Sequence, residues 1–265
     1  MDLCLQGKVI IVTGGASGIG ESICRKLAAE GAIPCIIDRN AQNLERMAAQ
    51  IGQRYGSNVF TVLTELTDSN SCKEAIHQIQ LKFGRIDGLV NNAGVNDGVG
   101  LESGSYEKFI ASLNNNVGHY FTITNLALPE LKKTMGNIVN ICSKTAITGQ
   151  GGTSGYAAAN GERLALTKQW SGELSSFGIH VNAVVVAECW TPQYEWWINQ
   201  QVNPEKKLKQ ISAKIPLGNR LTTTQEVADT VLFLLSKASR SINGQFINVD
   251  GGYISLDRAI RNDDN

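Results

Sequence analysis

The sequence predicts a single doubly wound α/β domain built on a seven-stranded parallel sheet. Three observations predict it. Strand-length β-branched runs alternate with helix-length amphipathic segments along the chain. A glycine-rich octet, Thr13-Gly14-Gly15-Ala16-Ser17-Gly18-Ile19-Gly20, falls between the first such run and the first such segment. No Pro-rich linker, internal repeat or low-complexity tract divides the 265 residues, so residues 1–265 read as one domain.

The elements follow in order. Val9-Ile10-Ile11-Val12 is a continuous apolar run, as a parallel strand buried on both faces requires. Residues 20–30 form a helix with Ile23, Leu27 and Ala28 on one face and Gly31 as its stop. Residues 34–37 are the second strand, 41–55 an amphipathic helix and 59–63 the third strand. Residues 69–83 place Ala75, Ile76, Ile79 and Phe83 at helical spacing. The second half repeats the rhythm: strand 88–91, a long helix 106–127, strand 137–141, helix 156–177 and strand 180–185. A last helix at 224–235 and a strand at 245–249 make seven strands alternating with six helices. Residues 190–215 are less regular, carry Trp190, Trp196 and Trp197, and read as a mobile lid rather than a second domain. The polar tail 257–265 is expected to fray.

Composition narrows the function classes. Lys+Arg and Asp+Glu are both 24, so nothing in the charge balance suggests capture of nucleic acid or of an anionic membrane. The six cysteines form no CxxC pair and the three histidines are scattered, which predicts buried reduced thiols and no metal site. No basic leader precedes an apolar stretch, and no run of about 18 apolar residues occurs. The expectation is a soluble cytoplasmic protein with a small-molecule substrate.

The glycine octet carries the first chemistry. Glycines between a buried strand and a helix permit a tight turn and close approach to a pyrophosphate, and the helix N-terminus adds free N–H groups and its positive dipole end. Asp38 ends the second strand, 18 residues beyond Gly20. A carboxylate there accepts the ribose hydroxyls of NAD and repels the 2′-phosphate of NADP, so NAD is favoured. Arg39 follows and softens that preference, leaving NADP possible.

Together with the octet, Asn91-Asn92-Ala93-Gly94, Asn116, Ser143, Tyr156 and the closing Asp250-Gly251-Gly252 resemble the short-chain dehydrogenase/reductase family over nearly the whole chain. The resemblance implies a Rossmann-type fold and hydride transfer to or from NAD(P). It implies cofactor-binding roles for Gly14, Ser17, Gly18, Ile19, Asp38, Leu66, Asn92, Ala93, Gly94, Tyr156, Asn160, Cys189 and Thr191. It implies a catalytic set of Asn116, Ser143, Tyr156 and the residue at 160. In that family the asparagine kinks its helix and holds a relay water, and the serine and tyrosine keep the 13-residue spacing seen here. Oxidising an alcohol requires a base for its proton, and a phenol serves only when a nearby charge makes it more acidic. The serine orients the same oxygen.

Two departures matter. The family has lysine four residues after its tyrosine, where this chain has Asn160. An ammonium about 5 Å from a phenol, at an effective dielectric near 20, is worth roughly 3 kcal/mol. Asn160 retains the capacity to bond a ribose hydroxyl but carries no charge, which predicts a weaker base at neutral pH. Arg163 and Lys144 are nearby in sequence, but spacing alone does not bring either charge to the phenol. The family's Pro-Gly after its sixth strand is replaced by Val186-Ala187, followed by Glu188-Cys189-Trp190-Thr191-Pro192. Thr191 matches the family's threonine, and Glu65 stands where it often has aspartate.

Several strings resemble one branch of the family, the bacterial L-fucose dehydrogenase-like enzymes: residues 91–98, 143–151, 187–192 and the ending 250–259. That likeness implies oxidation of an anomeric hydroxyl to a lactone. Asn96, Lys144, Gln150, Glu188 and Trp190 are the candidate contacts to a polyol, with Glu188 equally readable as a solvated loop acid. An anomeric hydroxyl is more acidic than an ordinary alcohol, so it tolerates a weaker base. Another ketone or alcohol substrate, or a non-catalytic cofactor-binding role, are the competing readings. The family's habit of assembly implies a homotetramer or homodimer built through the helices at 106–127 and 156–177 and the last strand.

Overall fold

The structure is a computed structural model that describes residues 2–56 and 59–256. The tail at 257–265, and the part of the resemblance that falls there, lie outside the described residues.

Seven parallel strands form one sheet in the order β3-β2-β1-β4-β5-β6-β7. They are β1 (Val9–Thr13), β2 (Ile33–Asp38), β3 (Phe60–Leu63), β4 (Gly88–Asn91), β5 (Asn137–Ser143), β6 (Val181–Val186) and β7 (Phe246–Val249). The chain winds outward from β1 to β3, returns beside β1 as β4, and winds the other way. The reversal between β1 and β4 opens a crevice at the carboxyl ends of those strands, where ligands of such sheets bind.

Alternation along each strand builds two cores. Ile10 and Val12 pack on one side with α1 (Gly18–Ala29), α2 (Ala41–Tyr55) and the late helix at Thr224–Leu235. Val9 and Ile11 pack on the other, against α3 (Ser69–Phe83), the helix His119–Thr134 and that at Ser154–Glu173. Every residue of β1 and β6 is buried, as their apolar runs require. Each Ile or Val so enclosed contributes about 1.5–3 kcal/mol.

Two stretches differ from the sequence expectation. The long helix expected at 106–127 is α4 (Tyr106–Leu113), a π turn at Asn114–Gly118, and α5 (His119–Thr134). The π turn is the kink expected at Asn116, and the second helix runs on past Pro129. After α6 (Ser154–Glu173), residues 190–215 hold two helices, α7 (Pro192–Asn199) and α8 (Pro204–Ser212), before α9 (Thr224–Leu235). Both short helices begin on proline behind a capping side chain, Thr191 for α7 and Asn203 for α8. Each spans fewer than ten residues, short for a clear helical period.

All six cysteines are free and five are buried; Cys4 is exposed, contrary to the expectation of burial. Among the described residues, no helix is long and apolar enough to cross a membrane.

Candidate active site

The glycine loop closes over the end of β1. A Cβ at Gly20 would lie 2.2 Å from the Gly14 carbonyl oxygen, so only glycine lets the first turn of α1 pack this closely on the loop. Asn92 stitches the facing loop to it: Nδ2 donates to the carbonyls of Thr13 and Gly14, at 2.9 and 3.1 Å. Thr13 Oγ1 in turn accepts the N–H groups of Asn92 and Ala93. Ser17 caps α1 by position while its side chain stays out of the cap, and Ser17, Gly18 and Ile19 front the helix N-terminus. The loop after β6 meets the same place, with Thr191 Cβ 3.6 Å from where a Gly18 Cβ would stand. Thr191 Oγ1 accepts the Tyr194 N–H as the cap of α7. A cradle of this shape, backed by free helix-start N–H groups, fits a dinucleotide pyrophosphate.

Asp38 ends β2 with one carboxylate oxygen accepting the Ala16 N–H at 3.1 Å and the other the Asn40 N–H at 3.0 Å. Those bonds hold it against the glycine loop and leave lone pairs for further donors. Arg39 points instead toward Glu65, 3.8 Å away, and is largely exposed. Leu66 packs against the second core beside α3.

Ser143 is the last residue of β5, and its Oγ accepts the Thr145 N–H at 3.3 Å. Tyr156 lies in the first turn of α6, half-buried. Among the described residues neither hydroxyl donates a hydrogen bond to protein, so both have donors left for a substrate oxygen. Asn116 is fully buried in the π turn; its Oδ1 accepts the Val95 N–H and its Nδ2 donates to the Ser112 carbonyl. Its own carbonyl accepts from Arg163 Nε at 2.8 Å and closely from Nη2.

Asn160, expected at the nicotinamide ribose, lies in the wall between β5 and α6. Its side chain is fully buried and engaged with protein at both ends. Oδ1 accepts the Ser143 N–H at 2.8 Å and Arg163 Nη1 at 3.1 Å, and Nδ2 donates to the Tyr156 carbonyl at 2.8 Å. Arg163, which spacing alone did not place, is 2% exposed and lies in this wall. Its signal was its position three residues after Asn160, on the same helical face.

Beyond Ser143 three of the five candidate substrate residues converge. Lys144 and Glu188, both largely buried, form a close ion pair across 44 residues of sequence. The Lys144 ammonium also sits 4.2 Å from the Tyr253 ring centroid. Trp190 follows on the same loop, its ring 6.1 Å from that of Tyr194, which packs on Trp197 at 5.4 Å. Burial, then the Glu188 charge, push the Tyr194 phenol well above its usual range. Asn96 and Gln150 are exposed, and Asn96 Oδ1 accepts the N–H of Gly98 in its own loop. Cys189 is buried, its thiol pushed up to about 12 by that burial, and pairs through its backbone with Thr222. Among the described residues no cluster of His, Cys, Asp and Glu is arranged to hold a metal ion.

Comparison with known proteins agrees with this architecture. Residues 8–200 match the family described as short chain dehydrogenase. A 3-oxoacyl-[acyl-carrier-protein] reductase, FabG of Thermotoga maritima, is 36% identical over 94% of this chain and 99% of its own. An L-fucose dehydrogenase of Bos taurus is 31% identical over 95% of this chain and 92% of its own. The crystal structure of Cj0485 dehydrogenase superposes with a TM-score of 0.93 at 39% identity, covering 99% of this chain and all of that one.

Proposed function

The chain belongs to the short-chain dehydrogenase family, an oxidoreductase family that uses NAD(P), and from this premise we propose that it oxidises a free sugar or polyol with NAD. The best-supported substrate is an L-fucose-type aldose, oxidised at its anomeric carbon to a lactone. The observation that carries this reading is the Lys144–Glu188 pair beside Trp190, directly after Ser143. A carboxylate and an ammonium offer acceptors and donors to sugar hydroxyls, and the indole face suits the C–H side of a pyranose. The L-fucose dehydrogenase relative supports the same substrate class.

A bound nicotinamide dinucleotide supplies the hydride acceptor. The chain supplies the rest. Gly14, Ser17, Gly18 and Ile19 hold the pyrophosphate end, and Asp38 accepts the adenosine ribose hydroxyls. Leu66, Ala93 and Gly94 flank the adenosine side, and Cys189 and Thr191 border the nicotinamide end. Ser143 orients the substrate hydroxyl, and Tyr156 takes its proton as the C–H bond breaks. The acidity of an anomeric hydroxyl lowers the demand on that base. Residues 190–215, with their three tryptophans, act as the lid.

A second reading, reduction of a ketone with the same residues run in reverse, is favoured by the 36% identity to a 3-oxoacyl reductase. Initial rates with NAD and NADP over free aldoses and polyols, and with the reduced cofactors over ketones, separate the two. L-fucose-type sugars should give the highest kcat/KM. Ketone reduction without sugar oxidation would replace the first reading by the second. Cofactor binding without turnover at any pH up to about 10, where a free phenol ionises, would leave a non-catalytic binding protein.

Assembly as a homotetramer or homodimer through α4–α5 and α6 completes the proposal. Tyr106 and Phe121 are exposed at 75% and 56%, as an uncovered face would be. Part of the apolar character of α6 is used internally, because Ala159, Leu164 and Trp170 are buried within the single chain.

A further inference from the structure

Arg163 is a buried cation whose acceptors are all neutral. Among the described residues its guanidinium donates to the carbonyls of Ala93, Asn116 and Ile141 and to the Oδ1 atoms of Asn160 and Asn116. It lies over the Tyr120 ring, 4.3 Å from the guanidinium carbon to the centroid. A Cβ at Gly94 would come within 2.6 Å of Nη2, so the cation touches the backbone of the loop that faces the glycine cradle. Burying an unpaired charge is unfavourable unless many dipoles solvate it, and here four separate pieces of the site do so. They are the loop after β4, the π turn, β5 just before Ser143, and α6 one turn beyond Tyr156. The charge also acts on its neighbours: burial pushes the Cys142 thiol up to about 12, and Arg163 is the opposing charge there.

We propose that Arg163 is a positioning residue for hydride transfer: its guanidinium, acting through Asn160 and the Asn116 carbonyl, supplies the site's positive charge from one turn further along α6 than position 160 and locks the Ser143 end of β5 to α6. The inference rests on the dehydrogenase reading of this site. Mechanically, Arg163 Nη1 holds Asn160 Oδ1 where that same oxygen accepts the Ser143 N–H. Electrostatically, a cation in the wall disfavours a second cation beside it, and the oxidised nicotinamide ring is cationic where the reduced ring is neutral. The titratable groups packed about this charge are His119 and Tyr120 of α5 and Cys142 of β5. Lys144 and Glu188 neutralise each other.

The test uses the full chain as R163Q, R163K and the double variant N160K/R163Q, which returns a cation to position 160. Titrations of NAD+ and NADH, followed by tryptophan fluorescence, give the ratio of their dissociation constants without any turnover. R163Q should shift that ratio toward NAD+ by about fivefold, the effect expected of removing one charge at partly screened distance. R163K and the double variant should stay within about twofold of wild type. The pH of half-maximal kcat/KM should rise in R163Q by about one unit and return in the other two. A folded R163Q with unchanged ratio and unchanged midpoint overturns the inference and leaves Arg163 a structural bracket. Should R163Q not fold, a change of the ratio in folded R163K overturns it and retention supports it. If wild-type protein oxidises no substrate, the proposed function fails by that result, and the binding ratio still decides the role of Arg163.

Discussion

Asn160 Oδ1 accepts the backbone N–H of Ser143 at 2.8 Å, so a side chain of α6 fastens that helix to the end of β5. Because the same oxygen accepts from Arg163, the carboxamide is a junction between β5, α6 and the buried guanidinium.

That junction decides what a lysine at position 160 should do. In the wild-type background N160K would face an ammonium against the Arg163 guanidinium inside a dry wall. It should destabilise the fold by about 1–3 kcal/mol. Adding R163Q should recover most of the loss. Urea unfolding of the four members of the cycle should give a coupling above about 1 kcal/mol. Additive losses would mean that the two side chains do not share one site. The lower pH midpoint expected from a lysine at 160 should therefore be sought in the double variant measured against R163Q.

Removing the base and the orienting hydroxyl should separate chemistry from binding. Y156F should lower kcat by about 10²–10⁴-fold, the range for a lost general base. S143A should lower it by about 10²-fold. Neither should change the NAD dissociation constant by more than about twofold, since the proposed cofactor contacts are spread over the glycine loop and Asp38. Equal losses in binding and rate would place both residues in cofactor binding.

Asp38 should govern the choice of dinucleotide. D38S removes the charge that repels a 2′-phosphate and should raise the NADP-to-NAD ratio of kcat/KM at least tenfold, roughly the effect of one close like charge. The bonds to the Ala16 and Asn40 N–H groups would also be lost, costing about 1 kcal/mol of stability. An unchanged ratio would remove Asp38 from the ribose site.

His119 should make the fold acid-sensitive. Burial, reinforced by Arg163, pushes its imidazole down to about 3 from the usual 6.5. The unfolded chain therefore takes up a proton as pH falls below about 6.5, while the folded chain does not until about 3. The stability contribution is full above the unfolded value and is lost progressively between the two. By pH 5 the loss should be about 2 kcal/mol. H119F keeps an aromatic ring beside Tyr120 and should flatten the stability curve between pH 7 and pH 5. Parallel curves for the two proteins would show that other groups set the acid response.

Much of the fold was legible because it is written in short-range pattern. Continuous β-branched runs marked β1 and β6, and the amphipathic periods of α2, α3 and α9 matched to the residue. Misplaced features had weaker local signals. The two helices within 190–215 are each under ten residues, short for a periodic signal.

The sequence by itself determined the sheet, the glycine cradle and the presence of Ser143 and Tyr156. Alternation, helical period and right-handed crossovers admit few other arrangements. Only the tertiary structure decided which partners the long polar side chains take. Arg163 could have extended to solvent, Asn160 could have faced the cleft, and Lys144 and Glu188 are 44 residues apart. A flexible side chain finds its partner among groups brought near by packing, and in a dry interior the unsatisfied alternatives are too unfavourable to persist. The carboxamide of Asn160 is therefore tied to the buried guanidinium of Arg163 by a contact that no local pattern records.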